Sequence, residues 1–241
     1  MTNPELARRV AEVRQRIAAA AARAGAPAAA VTLVAAAKER SPDEIRAVMA
    51  AGVAEIGQNY VQEALAKRPA VGVGGRWRLI GALQRNKAGA AVSCFETVDT
   101  VASEALASAL QRRLEALGKP SLEVLLEIRL GDEPSKAGVA PAEAERLLAA
   151  VQLLPRLYCQ GVMTIPPPGE PQGTRRWFAR LRDLSQRLRA SSGLELPVLS
   201  MGMSADFEVA IEEGATQVRL GTALFGPRAG GPRAGLAQRP S

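Results

Sequence analysis

The chain has 241 residues, of which 47% are apolar, and carries a net charge of +7 but no histidine. The lack of histidine excludes Ser–His and Cys–His nucleophile pairs and metal sites with histidine ligands. Two cysteines are too few for a disulfide framework, and no apolar run reaches the about 18 residues of a membrane span. We therefore expect a cytoplasmic protein without a membrane segment. Because the arginines are spread over helical faces and aromatic residues are few, we expect no nucleic-acid partner.

Residues 1–25 place apolar side chains at helical spacing between arginines, which predicts an amphipathic surface helix. Residues 31–37 are an apolar run without alternation, typical of a strand buried on both faces of a parallel sheet. Ser41, Pro42 and Glu44 follow as the N-cap, first residue and capping-box acid of a helix.

Further strands are predicted at residues 53–56, 77–80, 95–98, 122–128, 161–165, 197–200 and 217–220. Helix-like stretches separate them, one of which we expect to be capped by Asp99 or Thr100. Successive βα units in a chain of this length predict an α/β fold, a (β/α)8 TIM barrel with an N-terminal helix. We expect the barrel to be a single domain over residues 1–226. Residues 227–241, rich in Gly, Pro and Arg, are predicted to be a short disordered C-terminal tail.

Polar residues follow the first, seventh and eighth predicted strands, whose ends face the active site in such a barrel. Lys38 ends the first strand, where a buried amine either forms Schiff bases or merely caps the strand. Ser204 is expected to cap the helix after the seventh strand, and residues 219–222 add a cation, a glycine and a hydroxyl. An amine beside a phosphate cradle predicts a site for a phosphorylated aldehyde.

Residues 34–38, 57–63, 77–87, 161–164, 199–207, 218–222 and 225–226 resemble, in this order, the pyridoxal-phosphate homeostasis protein family. The most specific stretch is Ser200-Met201-Gly202-Met203-Ser204. The resemblance implies a fold-type III barrel, similar to the N-terminal domain of bacterial alanine racemase, that binds pyridoxal 5′-phosphate (PLP). It also implies buffering or delivery of PLP without a catalytic reaction, apo forms of PLP-dependent enzymes as partners, and a monomer.

Matching positions in the family imply a role for each residue of the cofactor site. Lys38 would carry PLP as an internal aldimine, Ser204, Gly221 and Thr222 would hold the phosphate, Arg219 would face the pyridine nitrogen, and Asn59 and Met201 would line the ring. An arginine at the pyridine nitrogen disfavours its protonation, so the ring is a weaker electron sink.

The sequence departs from the family at three positions. Gln58 stands where the family usually has Glu, and Arg78 and Ala82 stand where it has His. Lys136 lies in a loop that resembles the family only loosely, and we interpret it as a solvated lysine. The alternatives are a PLP-dependent amino-acid racemase or lyase and a phosphosugar enzyme that uses Lys38 as an aldolase does. A racemase also needs an acid–base group on the second face of the substrate. We expect no second domain that could supply this group.

Overall fold

The computed structural model describes residues 4–131, 137–167 and 169–227. In these residues, strands and helices alternate along the chain. The strands are β1 (Thr32–Ala36), β2 (Glu55–Gln58), β3 (Arg76–Leu79), β4 (Thr97–Val101), β5 (Leu122–Glu127), β6 (Leu157–Met163), β7 (Val198–Ser200) and β8 (Gln217–Leu220). The α-helices are α1 (Pro4–Arg23), α2 (Pro42–Ala50), α3 (Val61–Val71), α4 (Ala88–Cys94), α5 (Glu104–Ala116), α6 (Ala144–Gln152), α7 (Pro171–Ser192), α8 (Phe207–Glu212) and α9 (Thr222–Phe225).

The strands form a closed parallel barrel in the order of the sequence. β1 pairs with β2 on one side and with β8 on the other, where Val34 lies level with Arg219. Parallel neighbours need crossover connections, and the helices in these crossovers cover the outer face of the sheet. The predicted (β/α)8 barrel with its N-terminal helix is therefore confirmed.

The capping box predicted for α2 is present. The Ser41 hydroxyl accepts a hydrogen bond from the Glu44 backbone nitrogen at 3.2 Å, and the Glu44 carboxylate accepts one from the Ser41 nitrogen at 2.8 Å. Pro42 occupies the first turn, where backbone N–H groups have no carbonyl partner within the helix. The N–H that proline lacks therefore costs no hydrogen bond. These contacts set the point at which the chain leaves the β1 loop and begins α2.

Helix α1 is amphipathic, as predicted, and packs against α8 and α9. Its buried face consists of Leu6, Val10, Val13, Ile17, Ala20 and Ala21. Two arginines at its edge pair with acids of α8, Arg16 with Glu208 at 2.9 Å and Arg23 with Glu212 at 2.7 Å. The helix thus supports the part of the barrel wall next to β8.

The interior of the barrel contains a network of polar side chains, whereas the main hydrophobic core lies between the strands and the helices. Along β3, Trp77 and Leu79 belong to that core, while Arg78 between them points inward. Arg78 donates to both carboxylate oxygens of Asp99, at 3.0 and 3.2 Å, and to Glu55 at 2.9 Å. Gln217 donates to the same carboxylate at 2.9 Å. These contacts tie β2, β3, β4 and β8 together through the centre of the barrel.

The expectation that Asp99 or Thr100 caps the helix after β4 is wrong. Both residues lie within β4, which runs three residues further than predicted, to Val101. The cap of α5 is Ser103, whose hydroxyl accepts from the Leu106 nitrogen at 3.2 Å. An aspartate resembles a cap in sequence, but here its charge is satisfied by Arg78 across the barrel.

Other predicted boundaries differ by a few residues; β6, for example, begins at Leu157 rather than at residue 161. The α3 helix continues through Pro69 to Val71. The predicted tail lies outside the described residues except for residue 227, and Lys136 also lies outside them. None of the helices in the described ranges is long and apolar enough to cross a membrane.

Candidate functional site

A cavity of about 330 Å³ opens at the carboxyl ends of the strands, between the loops that follow β1, β7 and β8. Its lining residues are Ala36, Lys38, Arg40, Met203, Ser204, Ala205, Arg219, Gly221 and Thr222. Five of these nine were predicted as site residues from the sequence: Lys38, Ser204, Arg219, Gly221 and Thr222. The fold therefore brings the predicted amine and the predicted phosphate cradle together.

Lys38 lies two residues after β1 and is half-buried at the cavity. Its side chain makes no hydrogen bond or ion pair with any residue that the structure describes. The chain turns sharply behind it, because Glu39 has a φ of 60°, in the left-handed region. The Glu39 nitrogen donates to the Glu63 carboxylate, which holds this strained turn in place. The backbone that carries the amine is therefore fixed, while the amine itself has no hydrogen-bond or ion-pair partner among the described residues.

The loops after β7 and β8 meet at Ser204. The Ser204 hydroxyl oxygen accepts hydrogen bonds from the backbone nitrogens of Gly221 and Ala223, at 3.2 Å each. Two N–H groups at the start of α9 therefore converge on one oxygen, which is the arrangement that binds a phosphate oxygen. Thr222, between them, is exposed at the cavity and adds a hydroxyl.

The expectation that Ser204 caps the helix after β7 is wrong. The residue before α8 is Asp206, and its carboxylate accepts from the Met203 nitrogen at 2.7 Å. Gly202 makes the tight turn that leads there, with a φ of 93°, and a Cβ on it would lie 2.6 Å from the Cβ of Ala210. Because Asp206 closes this turn, the Ser204 hydroxyl is available to the β8 loop.

Arg219 is buried on the inner side of β8. It donates to the Ser200 hydroxyl on β7 at 2.6 Å and to the Thr164 carbonyl after β6 at 2.8 Å. Burial lowers the pKa of Arg219, while the carboxylates of Asp99, Glu127 and Asp206 act in the opposite direction. The guanidinium is thus a rigid, poorly hydrated cation at the floor of the cavity.

Glu127, at the end of β5, was not predicted as a site residue. Its side chain is buried, and its Oε2 atom has no hydrogen-bond partner in the described residues. Burial raises the pKa of Glu127 to about 7, although the charge of Arg219 lowers it. In the sequence, Glu127 is a carboxylate inside a mostly apolar run. That unusual position is the signal by which sequence reasoning could have found it.

Arg40 and Met203 are further cavity residues that sequence reasoning missed. Arg40 donates to the Gly226 carbonyl at 2.7 Å and to Glu44 at 3.2 Å, and its guanidinium lies over the Phe225 ring. Its position two residues after Lys38 is a signal that the sequence contained. Arg40 fixes the end of α9 and keeps positive charge at the cavity.

Asn59 and Met201 are not among the described residues that line this cavity. Asn59 follows β2, and its backbone lies against Gly81, where an added Cβ would lie 2.3 Å from the Asn59 carbonyl oxygen. Met201 is fully buried in the hydrophobic core, whereas Met203 is 39% exposed. A ligand contact for either residue stays a prediction.

The three departures from the family pattern lie in different surroundings. Gln58 is buried, and its amide donates to the Ala37 carbonyl at 3.2 Å, directly before Lys38. Arg78 forms the ion pairs inside the barrel described above. Ala82 is exposed on the loop after β3. Of the three, Gln58 is the one that contacts the Lys38 loop.

Known proteins resemble this chain over most of its length. The family described as alanine racemase, N-terminal domain, matches residues 9–229. The pyridoxal phosphate homeostasis protein of Pseudomonas aeruginosa is 41% identical over 225 residues, which cover 92% of this chain and 96% of the relative.

Two solved structures have a fold similar to that of this chain. PipY of Synechococcus elongatus, solved with PLP bound, superposes with a TM-score of 0.81 at 36% identity, covering 92% of this chain and all of PipY. Alanine racemase from Corynebacterium glutamicum superposes with a TM-score of 0.66 at 20% identity, covering 93% of this chain and 62% of the racemase. The second likeness concerns the fold alone.

Proposed function

The chain belongs to the family of pyridoxal phosphate homeostasis proteins, and from this membership we propose that it binds PLP through Lys38 and holds the cofactor for other proteins. One observation carries the proposal: Lys38 lines the same cavity as Ser204, whose hydroxyl accepts hydrogen bonds from the backbone nitrogens of Gly221 and Ala223. PLP carries both an aldehyde and a phosphate group, so it matches the amine and the cradle.

The residues at the cavity suit this cofactor. Its volume of about 330 Å³ lies within the range of small-molecule pockets, about 300–1,000 Å³. Larger cavities exist, such as one of about 480 Å³ between α6 and α7, but none of its described lining residues is a lysine. Among the described residues that line the cavity with Lys38, the charged groups are Lys38, Arg40 and Arg219. These three positive charges together favour a phosphorylated anion.

The covalent step that we propose is imine formation at Lys38. The unprotonated Nζ atom attacks the aldehyde carbon, a C=N bond replaces the C=O bond, and one water molecule leaves. The resulting internal aldimine keeps the aldehyde from reacting with other amines. Ser204, Gly221 and Thr222 are proposed to hold the phosphate, and Asn59 and Met201 to contact the ring.

We propose further that the bound cofactor is catalytically quiet. Arg219 would face the pyridine nitrogen and, being a cation, disfavour its protonation, so the ring withdraws electrons less strongly. The described residues that line the cavity include no tyrosine or carboxylate, the groups from which a histidine-free racemase would draw its second acid–base residue. Both points favour a carrier over the racemase or lyase alternative.

The experiment for the carrier role is transfer of the cofactor. Purified protein loaded with PLP is mixed with the apo form of a PLP-dependent enzyme, and recovery of the enzyme's activity is followed with time. We expect activity to recover while the loaded protein alone shows no sustained turnover of L-alanine. Sustained racemisation would instead establish the enzyme alternative, and retention of PLP without transfer would exclude delivery. Light scattering on the same sample tests the expected monomer.

A further inference from the structure

Three arginines without a partner line one cleft on the outside of the barrel. In the ranges that the structure describes, the arginine side chains that form no hydrogen bond, ion pair or ring contact are Arg85, Arg112, Arg113 and Arg187. The first three line a cleft of about 470 Å³, together with Asn86 and Ala109. None of these residues lines the cavity of Lys38, so the cleft is a separate feature of the molecule.

Helix α5 supplies one wall of the cleft. Arg112 and Arg113 follow Ala109 by three and four residues, so the three side chains lie on the same face of the helix. Ala109 is buried, and its single methyl group leaves space between the longer arginine side chains. Glu115, the nearest acid along α5, accepts a hydrogen bond from Gln111 at 2.7 Å instead of pairing with either arginine.

The 3₁₀ turn Arg85–Lys87 and the start of α4 form the opposite wall. The turn packs against α5 and is tied to α3 by Lys87, which donates to the Gln62 side chain at 3.2 Å. Gly89 in the first turn of α4 makes room for Arg113, because a Cβ on Gly89 would lie 3.4 Å from the Cδ and Nε atoms of that arginine. Packing of the helices, and not pairing with acids, therefore brings the arginines to the cleft.

The charges of the cleft fit a compact anion. Among its described lining residues, three are cations and none is a carboxylate. Like charges at close range repel one another, and an anion between them removes this repulsion. Guanidinium groups bind phosphate through pairs of parallel N–H donors, and the Asn86 amide adds two further donors. A diphosphate group concentrates more negative charge than one phosphate or carboxylate group, so it matches three arginines best.

We propose that this cleft binds a small molecule with a diphosphate group, either free diphosphate or a nucleotide. The inference goes beyond cofactor binding at Lys38 and does not depend on it. The volume of about 470 Å³ lies within the range of small-molecule pockets, about 300–1,000 Å³. No described lining residue is aromatic, and aromatic side chains are what single-stranded nucleic acids stack on. Because the three arginines are exposed, the affinity should fall as the salt concentration rises.

The test is a calorimetric titration of the full chain with inorganic pyrophosphate at low ionic strength. Wild type should bind, and Arg85→Ala, Arg112→Ala and Arg113→Ala should each raise the dissociation constant roughly fivefold. Arg187→Ala is the matched control, because it removes an equally unpartnered arginine that lies outside the cleft. It should bind like wild type.

A parallel titration with ADP distinguishes the two sources of the diphosphate group. Binding of ADP with the same dependence on the three arginines would identify a nucleotide as the ligand. Binding of pyrophosphate without binding of ADP would identify free diphosphate.

Chemical modification locates the site on wild type without a variant. Phenylglyoxal modifies arginine side chains, and mass spectrometry maps the labelled peptides. Pyrophosphate should protect Arg85, Arg112 and Arg113 from the reagent but leave Arg187 reactive.

Three results would overturn the proposal. The first is no binding of pyrophosphate by wild type, including the case in which a DNA duplex binds and pyrophosphate does not. The second is equal affinity in wild type and all three cleft variants. The third is binding that is weakened by Thr222→Ala alone, which would place the anion in the cavity of Lys38. None of these results bears on whether PLP binds at Lys38, so the proposed function is tested separately.

Discussion

The hydroxyl oxygen of Ser204 lies 3.2 Å from the backbone nitrogen of Gly221, which joins the loop after β7 to the loop after β8. The same oxygen accepts from the Ala223 nitrogen at 3.2 Å. The contact marks a point at which backbone donors and a side-chain hydroxyl can share an anionic oxygen. It also connects the two parts of the sequence that were predicted separately as phosphate-binding.

Removing either hydroxyl of this cradle should weaken PLP binding. Hydrogen bonds to a charged group contribute about 1.5–3 kcal/mol each, so Ser204→Ala and Thr222→Ala should each raise the dissociation constant by roughly 10- to 100-fold. Equilibrium dialysis measures the affinity. Ser93→Ala on α4, which removes a hydroxyl that donates only to its own helix, serves as the control and should bind like wild type. Unchanged affinity in both cradle variants would contradict the phosphate site.

Arg219 should govern the reactivity of the bound cofactor. Arg219→Gln keeps a side-chain donor near Ser200 but removes the charge, so the pyridine nitrogen can take up a proton more readily. We expect the variant, once loaded with PLP, to react faster with L-alanine in single-turnover absorbance measurements. Rates equal to those of wild type would show that Arg219 does not control the electronics of the ring.

The ion pair between Arg78 and Asp99 should be essential to the barrel. Asp99→Ala leaves a buried guanidinium without its bidentate partner, and breaking a buried pair costs about 3–5 kcal/mol of unfolding free energy. Urea denaturation measures this loss. Glu12→Ala, which removes an acid paired with Arg8 on the exposed side of α1, should change stability by less than about 1 kcal/mol. Similar losses in the two variants would mean that the interior pair is not specifically stabilising.

The stability of the unliganded protein should carry the signature of Glu127. Its pKa is raised from 4.5 to about 7 in the folded state, so the unfolded chain ionises first as the pH rises. Stability from this group is therefore present below about pH 4.5 and is lost up to about pH 7, a change of about 3 kcal/mol. Glu127→Gln should lack this component in denaturation series at different pH. Parallel pH profiles for wild type and variant would contradict the raised pKa.

The barrel was predictable because eight apolar runs alternate with amphipathic stretches, a pattern that local residues carry. The boundaries of the strands and helices were harder to predict. Asp99, for example, resembles a helix cap in the sequence, but in the fold it pairs with Arg78. Lys38 and Gly221 were predicted because they lie just after predicted strands, and strand ends in a barrel converge.

The surroundings of Glu127 and of Ser204 depend on contacts that are distant in sequence. Glu127 and Arg219 are 92 residues apart, and only the closed barrel brings their charges together. Similarly, Ser204 was predicted from its neighbours as a cap, whereas its actual donors, Gly221 and Ala223, come from the next βα unit. Neither pairing has a signature within a single element.

The most direct test of the account is the site at which PLP is attached. Protein loaded with PLP is reduced with borohydride, digested, and mapped by mass spectrometry, with Lys38→Ala treated in parallel. We predict the reduced adduct on the peptide that contains Lys38 and none on that variant. An adduct confined to the other lysines, Lys67, Lys87, Lys119 or Lys136, would contradict the assignment of this cavity as the cofactor site.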